Sequence, residues 1–286
     1  MRQEFRESIL TRQGITEVAT ASLASFGVLS AAFQTALAVR PNLAHHDWII
    51  LTALAGCCIL AGIFHAWPRL TITHAYTYPS CEIRVRVGDI FTEQGNIIIG
   101  FTDTFDTDAS DGVIIDPRSV QGQFQQKFYA DTDQLDSELD AALRDTPVAT
   151  VEAATAKARG KLNRYEVGTV AVLYAGGSRY FATAYGFMRN DYRVSCSVNA
   201  LWSSLTKAWE SVRTHGSLDA VAIPVIGSEL ARVGALDRNS IVKMIALSFI
   251  ASTRQEIVSR QLTIVIHPKD RRFVNLIDID RFLRAL

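Results

Sequence analysis

The chain has 286 residues, 48% of them hydrophobic, with 29 acidic and 29 basic side chains. A formal charge of zero gives no broad attraction to a polyanion, which argues against nucleic acid as a partner. The cysteines, Cys57, Cys58, Cys81 and Cys196, make no Cys-x-x-Cys and no Cys/His set with zinc spacing, so no metal site is expected.

Two apolar runs without Asp, Glu, Lys or Arg come first, residues 18–39 and 48–67. A bilayer core about 30 Å thick is crossed by roughly 20 apolar residues rising about 1.5 Å each. Backbone groups in lipid must pair within their own segment, so each run is expected to be a transmembrane helix. The short connector, residues 40–47, makes them an antiparallel hairpin within an N-terminal region of residues 1–70. Basic residues flank it on one side: Arg2, Arg6 and Arg12 before, Arg69, Arg84 and Arg86 after, and only Arg40 in the connector. That asymmetry predicts both termini in the cytoplasm, with Trp48 and Trp67 at the headgroups. A signal peptide cut near Ala36 and Ala38, and a buried hairpin of a soluble protein, are the alternatives. Small residues crowd the first span, among them Ala21, Ser25, Gly27 and Ala31, and Gly56 and Gly62 lie in the second. Such residues let helices approach closely in lipid, so membrane lipid and further copies of the chain are expected partners.

Residues 81–286 form the head, one domain in which strand and helix signals alternate, the habit of an α/β layer fold. Residues 81–87 alternate like a half-buried strand, and 96–101 form a continuous apolar run suited to a central one. Helical periodicity covers 117–130 and 133–144, with Pro117 as a first helical residue. Strands over 167–175 and 179–187 read as a hairpin around Gly176 and Gly177. An amphipathic helix is expected over 197–214, a strand over 219–226, a helix over 239–258, a strand over 261–267 and a terminal helix over 270–286. Trp202 and Trp209 read as packing residues. Residues 131–158 are an extension suited to an oligomer interface.

Open α/β sheets bind ligands outside the carboxyl ends of their strands. Three such ends carry loop chemistry. One has Gly88, Asp89 and Ile90 after the first strand. A second runs from Gly100 and Phe101 through Thr102, Asp103, Thr104, Phe105, Asp106 and Thr107 to Asp108. The third has Gly227, Ser228, Glu229, Leu230 and Arg232, with Gly234 at its end.

The strand ending in Gly88, Asp89 and Ile90, the isoleucine run with its loop, and the late strand with its glycine loop resemble the macro domain, the ADP-ribose-binding three-layer α/β/α module. The resemblance covers residues 82–286 and implies roles residue by residue. Asp89 accepts from the adenine amino group and Ile90 meets the ring through its amide. Gly227, Ser228, Glu229 and Leu230 wrap the diphosphate with main-chain amides, which suits consecutive N–H groups in a tight turn. Arg232 neutralises the diphosphate or makes a surface ion pair. Phe273 stacks on the base or packs in the core. Many ADP-ribosyl hydrolases of the family carry an Asn-rich segment and a glycine run in the first loop. Here Phe101, Thr102, Asp103, Thr104 and Phe105 line that position, so no catalytic residue is assigned and the ligand expected is a derivative of ADP-ribose. A solvated turn with idle acids is the other reading of this loop.

A membrane hairpin joined to such a head resembles the transmembrane-macro effector of type II Thoeris antiphage defence. That resemblance implies a multi-pass protein of the bacterial inner membrane with a cytoplasmic macro domain and no resident cofactor. It also implies a TIR-domain, NAD-consuming enzyme as the partner that supplies a histidine-linked ADP-ribose signal, and oligomerisation that disrupts the membrane. The alternatives are a membrane-anchored ADP-ribosyl hydrolase using Asp103 or Asp106 as base, and a scaffold that binds no nucleotide.

Overall fold

A computed structural model describes residues 71–226 and 236–286, together with positions 20, 23–27, 30–31, 52 and 56–58. The chain divides into two compact units, Met1–Leu70 and Thr71–Leu286. In the first, the described positions are helical, but the spans 18–39 and 48–67 otherwise lie outside the described residues. Among the described residues no helix is long and apolar enough to cross a membrane.

The head is a mixed sheet between two helical layers. Its strands are β1 (Thr71–Tyr76), β2 (Cys81–Val87), β3 (Asn96–Thr102), β4 (Thr150–Val151), β5 (Asn163–Arg164), β6 (Val170–Ala175), β7 (Ser178–Met188), β8 (Val194–Ser195), β9 (Val221–Pro224) and β10 (Gln261–Ile266). Its helices are α1 (Val120–Phe128), α2 (Thr132–Ala142), α3 (Val198–His215), α4 (Arg238–Gln255) and α5 (Leu276–Arg284). The order across the sheet is β1-β2-β10-β9-β3-β7-β6, with β8 paired to β7. Strands β2, β10, β9, β3 and β7 run parallel, and β1 and β6 close the edges antiparallel. β4 and β5 form a separate small pair.

Parallel strands covered on both faces need apolar residues at successive positions. β3 meets this need: Ile97, Ile99 and Phe101 face one core with Phe124 of α1 and Leu135 and Leu139 of α2. Ile98 faces the other, with Leu205 and Trp209 of α3, Ile245 and Phe249 of α4 and Ile279 of α5. Each helix starts on a side-chain cap. Ser119, Asp131, Ser197, Asp237 and Asn275 accept backbone N–H groups of the first turn. Gly176 and Gly177 both hold positive φ, 55° and 77°, the requirement of a tight hairpin turn.

The departures from the expected elements have local causes. The first helix begins at Val120 on the Ser119 cap and not at Pro117, because Ser119 N–H closes a turn on the Asp116 carbonyl. The expected terminal helix is two pieces, a 3-10 turn (Pro268–Phe273) and α5, because Asn275 caps afresh at Ile277 and Asp278. β1 adds an edge strand whose deeply buried residue is Ile72. Of the paired tryptophans, Trp209 is fully buried and donates to Ser248 Oγ at 2.9 Å, whereas Trp202 stays 41% exposed.

Trp209 fills the seam between α3 and α4, edge-on to Phe249 at 5.4 Å. Trp209→Ala is expected to cost about 3–5 kcal/mol in urea unfolding followed by circular dichroism, and Trp209→Phe distinctly less, because it keeps most of the ring volume.

Candidate functional site

Strand register brings the loop starts to one edge. Val87 is level with Ile266 and Val265 with Pro224, so the chains leaving β2, β10 and β9 emerge side by side. β3 and β7 run in the same direction next to them.

At β2, Gly88 N–H still bonds the Ile266 carbonyl at 2.9 Å, and then the chain turns. Asp89 Oδ1 accepts from Phe91 N–H at 2.9 Å and caps a short 3-10 turn (Ile90–Thr92). The Asp89 carbonyl accepts from Thr92 Oγ1 at 2.7 Å and from the Arg86 guanidinium at 3.1 Å. Arg86 also pairs with Glu93 and donates to Thr92 Oγ1, so one side chain braces the whole turn. Ile90 is 5% exposed and pins the turn to the core. Asp89 itself is exposed, and among the described residues its second carboxylate oxygen has no hydrogen bond. Its charge also helps to raise the Tyr180 hydroxyl to about 12, after burial, which is the larger cause. A side chain at Gly88 would meet the Arg86 guanidinium, so glycine leaves the brace its space.

The loop after β3 is not a solvated turn. Phe101, Thr102, Asp103, Thr104, Phe105 and Asp106 are all buried. Asp103 accepts from Met188 N–H at 2.7 Å and pairs with Arg164 at 2.7 Å. Asp106 pairs with Lys157 at 2.7 Å and accepts from Thr104 Oγ1 at 2.6 Å and from Lys161 N–H. Phe105 holds φ 47° and stacks on Phe101 at 5.8 Å, with Tyr165 edge-on at 5.6 Å. Burial pushes the Asp103 carboxyl above its ordinary range, against the Met188 amide and the Arg164 guanidinium, which hold the charge. Neither acid faces solvent, because the chain between β4 and Arg164 folds over the loop and supplies both cations. Within residues 131–158, the extension suited to an oligomer interface, Leu135 and Leu139 enter the core with Leu143, and Lys157 enters the loop; Arg164, just beyond it, supplies the second cation. A recess of about 310 Å³ beside it is lined by Thr104, Phe105, Asp136, Lys161, Asn163 and Tyr165.

Past β9 the described chain ends at Ile226 and resumes at Leu236, so Gly227, Ser228, Glu229, Leu230 and Arg232 lie outside the described residues. On the far side of that segment, Arg238 opens α4, pairs with Asp270 at 2.8 Å and lies 4.4 Å from the Phe273 ring centroid. Arg272 lies 4.6 Å from the same centroid. Phe273 is 47% exposed, so it is not a core residue; it is an aromatic surface held by two guanidiniums at the edge that carries Asp89. His267 caps the turn before it, accepting from Lys269 N–H.

Arg86, Lys157, Arg164 and Arg238 all organise this edge, and no motif marked them in the sequence. The available signal was the surplus of acids after β3, which required cations from elsewhere once buried. Breaking a buried pair from one side leaves an uncompensated charge, so Asp103→Ala and Arg164→Ala are each expected to destabilise the head by about 3–5 kcal/mol. The double variant is expected to lose well under the sum, measured as a coupling energy in a double-mutant cycle by chemical denaturation.

Against known proteins, residues 83–267 match the family model described as Thoeris protein ThsA, Macro domain. Thoeris protein ThsA of Bacillus amyloliquefaciens (strain Y2) is 25% identical over 210 residues, 70% of this chain and 67% of that protein. Among solved structures, the Oceanobacillus iheyensis macrodomain with ADP superposes with a TM-score of 0.47 at 13% identity, covering 75% of this chain and 96% of its own. The same macrodomain with MES bound gives 0.48 at 12% identity, again covering 75% and 96%. With its layered sheet and its braced acidic turn inside the matched span, the chain belongs to the Thoeris ThsA macro-domain family.

Proposed function

We propose that the head binds an ADP-ribose-derived signal at the edge where the chain leaves β2, β9 and β10. The observation that carries this reading is the Asp89 carboxylate: exposed, one oxygen unbonded among the described residues, on a turn clamped by Arg86. A fixed, free carboxylate oxygen suits the exocyclic N–H of adenine. Phe273 and its paired arginines offer a stacking surface and positive charge at the same edge. The residues 227–232 are assigned the diphosphate by the family resemblance.

In this reading the protein is an effector of antiphage defence, answering a signal made from NAD by a TIR-domain enzyme. The runs 18–39 and 48–67 anchor it in the inner membrane, and ligand binding drives association of copies and membrane disruption. The ligand must favour the associated state over the resting one by about 10⁴-fold to move the population from nearly off to nearly on. Binding is favoured over hydrolysis because Asp103 and Asp106, the acids nearest to a catalytic role, are held in buried ion pairs.

Asp89→Ala in the full-length protein is expected to weaken ADP-ribose and histidine-linked ADP-ribose by tenfold or more in calorimetry, since a charged hydrogen bond contributes about 1.5–3 kcal/mol. Unchanged affinity would remove Asp89 from the site. In cells, depolarisation should require the signal; depolarisation indifferent to it overturns the gating. Release of free ADP-ribose from an ADP-ribosylated protein would replace the binder with a hydrolase.

A further inference from the structure

A recess of about 330 Å³ opens at the amino edge of the sheet, lined by residues that include Asn96, Tyr174, Gly177, Arg179 and Asp219. Arg179 is level with Asn96, the first residue of β3, so this recess lies at the other end of the strands from Asp89. Arg179 donates from Nη1 to Asn96 Oδ1 at 3.1 Å, and its guanidinium lies 5.4 Å from the Tyr174 ring centroid. Its Nε is buried and, among the described residues, has no hydrogen-bond partner. Among the described residues it makes no ion pair.

Asn96 cannot neutralise it. That side chain is fully buried, and its amide group is committed to the carbonyls of Gly216 and Asp219 at 2.8 and 3.2 Å. Arg179 lines an open recess, and among the described residues its Nη2 makes no hydrogen bond, so the guanidinium presents a charged donor to an anion that enters. The surrounding backbone is shaped around the opening. Ser217 and Leu218 both hold left-handed φ, 53° and 61°, in the turn that presents Asp219 at the rim. Two such residues in succession are strained, and strain of this kind persists where the fold over-determines it.

We infer that this amino-edge recess binds a small anion, a carboxylate or a phosphate, held by the Arg179 fork against Tyr174, on a molecule that also carries a hydroxyl or ammonium donor for Asp219. Sugar phosphates and free amino acids share that chemistry. The site is independent of the nucleotide edge and does not rest on the reading of Asp89.

The test is calorimetry on the detergent-solubilised full-length chain with ribose 5-phosphate, glutamate and inorganic phosphate. Saturable binding of ribose 5-phosphate or of glutamate supports the site and names its ligand class. Arg179→Lys, which keeps the charge but loses the fork, is expected to weaken that ligand about tenfold or more. Asp219→Asn, on an exposed side chain, is expected to weaken the same ligand without weakening inorganic phosphate, and it reports even if the arginine variant does not fold. Asp89→Ala should change neither. Failure of both organic ligands to saturate at millimolar concentration, binding that survives Arg179→Lys in a folded protein, or competition by ADP-ribose that vanishes in Asp89→Ala overturns the proposal.

Discussion

Two carboxylates taken out of water after the central strand have to find cations, and that constraint organises this end of the head. Asp103 and Asp106 leave β3 and stay buried. Desolvating a carboxylate costs several kcal/mol unless a partner charge and hydrogen bonds replace the lost water. Arg164 and Lys157 supply the charges, while the Met188 and Lys161 amides and Thr104 complete the bonding. The insertion that carries the cations therefore has one place to go. Its fold over the loop follows from the electrostatics of the loop, and the φ of Phe105 follows from the packing of its ring between Phe101 and Tyr165. Such pairs need add little net stability over an apolar core; their effect is to select a single loop conformation.

The opposite economy operates at the turn after β2. There the acid is left in water and the brace is built around its backbone. Arg86 holds the Asp89 carbonyl, Thr92 and Glu93 together, so the carboxylate is positioned without being neutralised. Two acids at strand ends on the same edge of the sheet thus have different fates: Asp103 is consumed by structure, and Asp89 remains available. A loop with its acids held in buried ion pairs is poorly placed to activate water. The parallel register makes the contrast useful, because strands running the same way deliver their loops to one edge.

Much of this architecture was legible from residue pattern. Alternation in residues 81–87 and the isoleucine run from 96 marked β2 and β3, Gly176 and Gly177 marked the hairpin, and the caps Ser197 and Asp237 stand where helical periodicity begins. These are local signals, set by side-chain period and by backbone conformations that few residues tolerate. The edge strand β1 and the β4/β5 pair were not legible, since short half-exposed strands leave little pattern. At the site, Gly88, Asp89 and Ile90 could be singled out because a strand ended in a turn glycine and an acid. The fate of the acids after β3 could not, because Lys157 and Arg164 stand far from them along the chain.

The order of amino acids by itself determined the alternation of strand and helix, the apolar segments ahead of the head and the acid that follows the turn glycine of β2, since each depends on neighbours a few positions away. Only the tertiary structure decided which acids keep their water and which are paired, that Phe273 is a surface held by Arg238 and Arg272, and that Arg179 lines a recess with no ion pair among the described residues. Those outcomes depend on desolvation and on charges brought together from distant segments, and neither exists until the chain has folded.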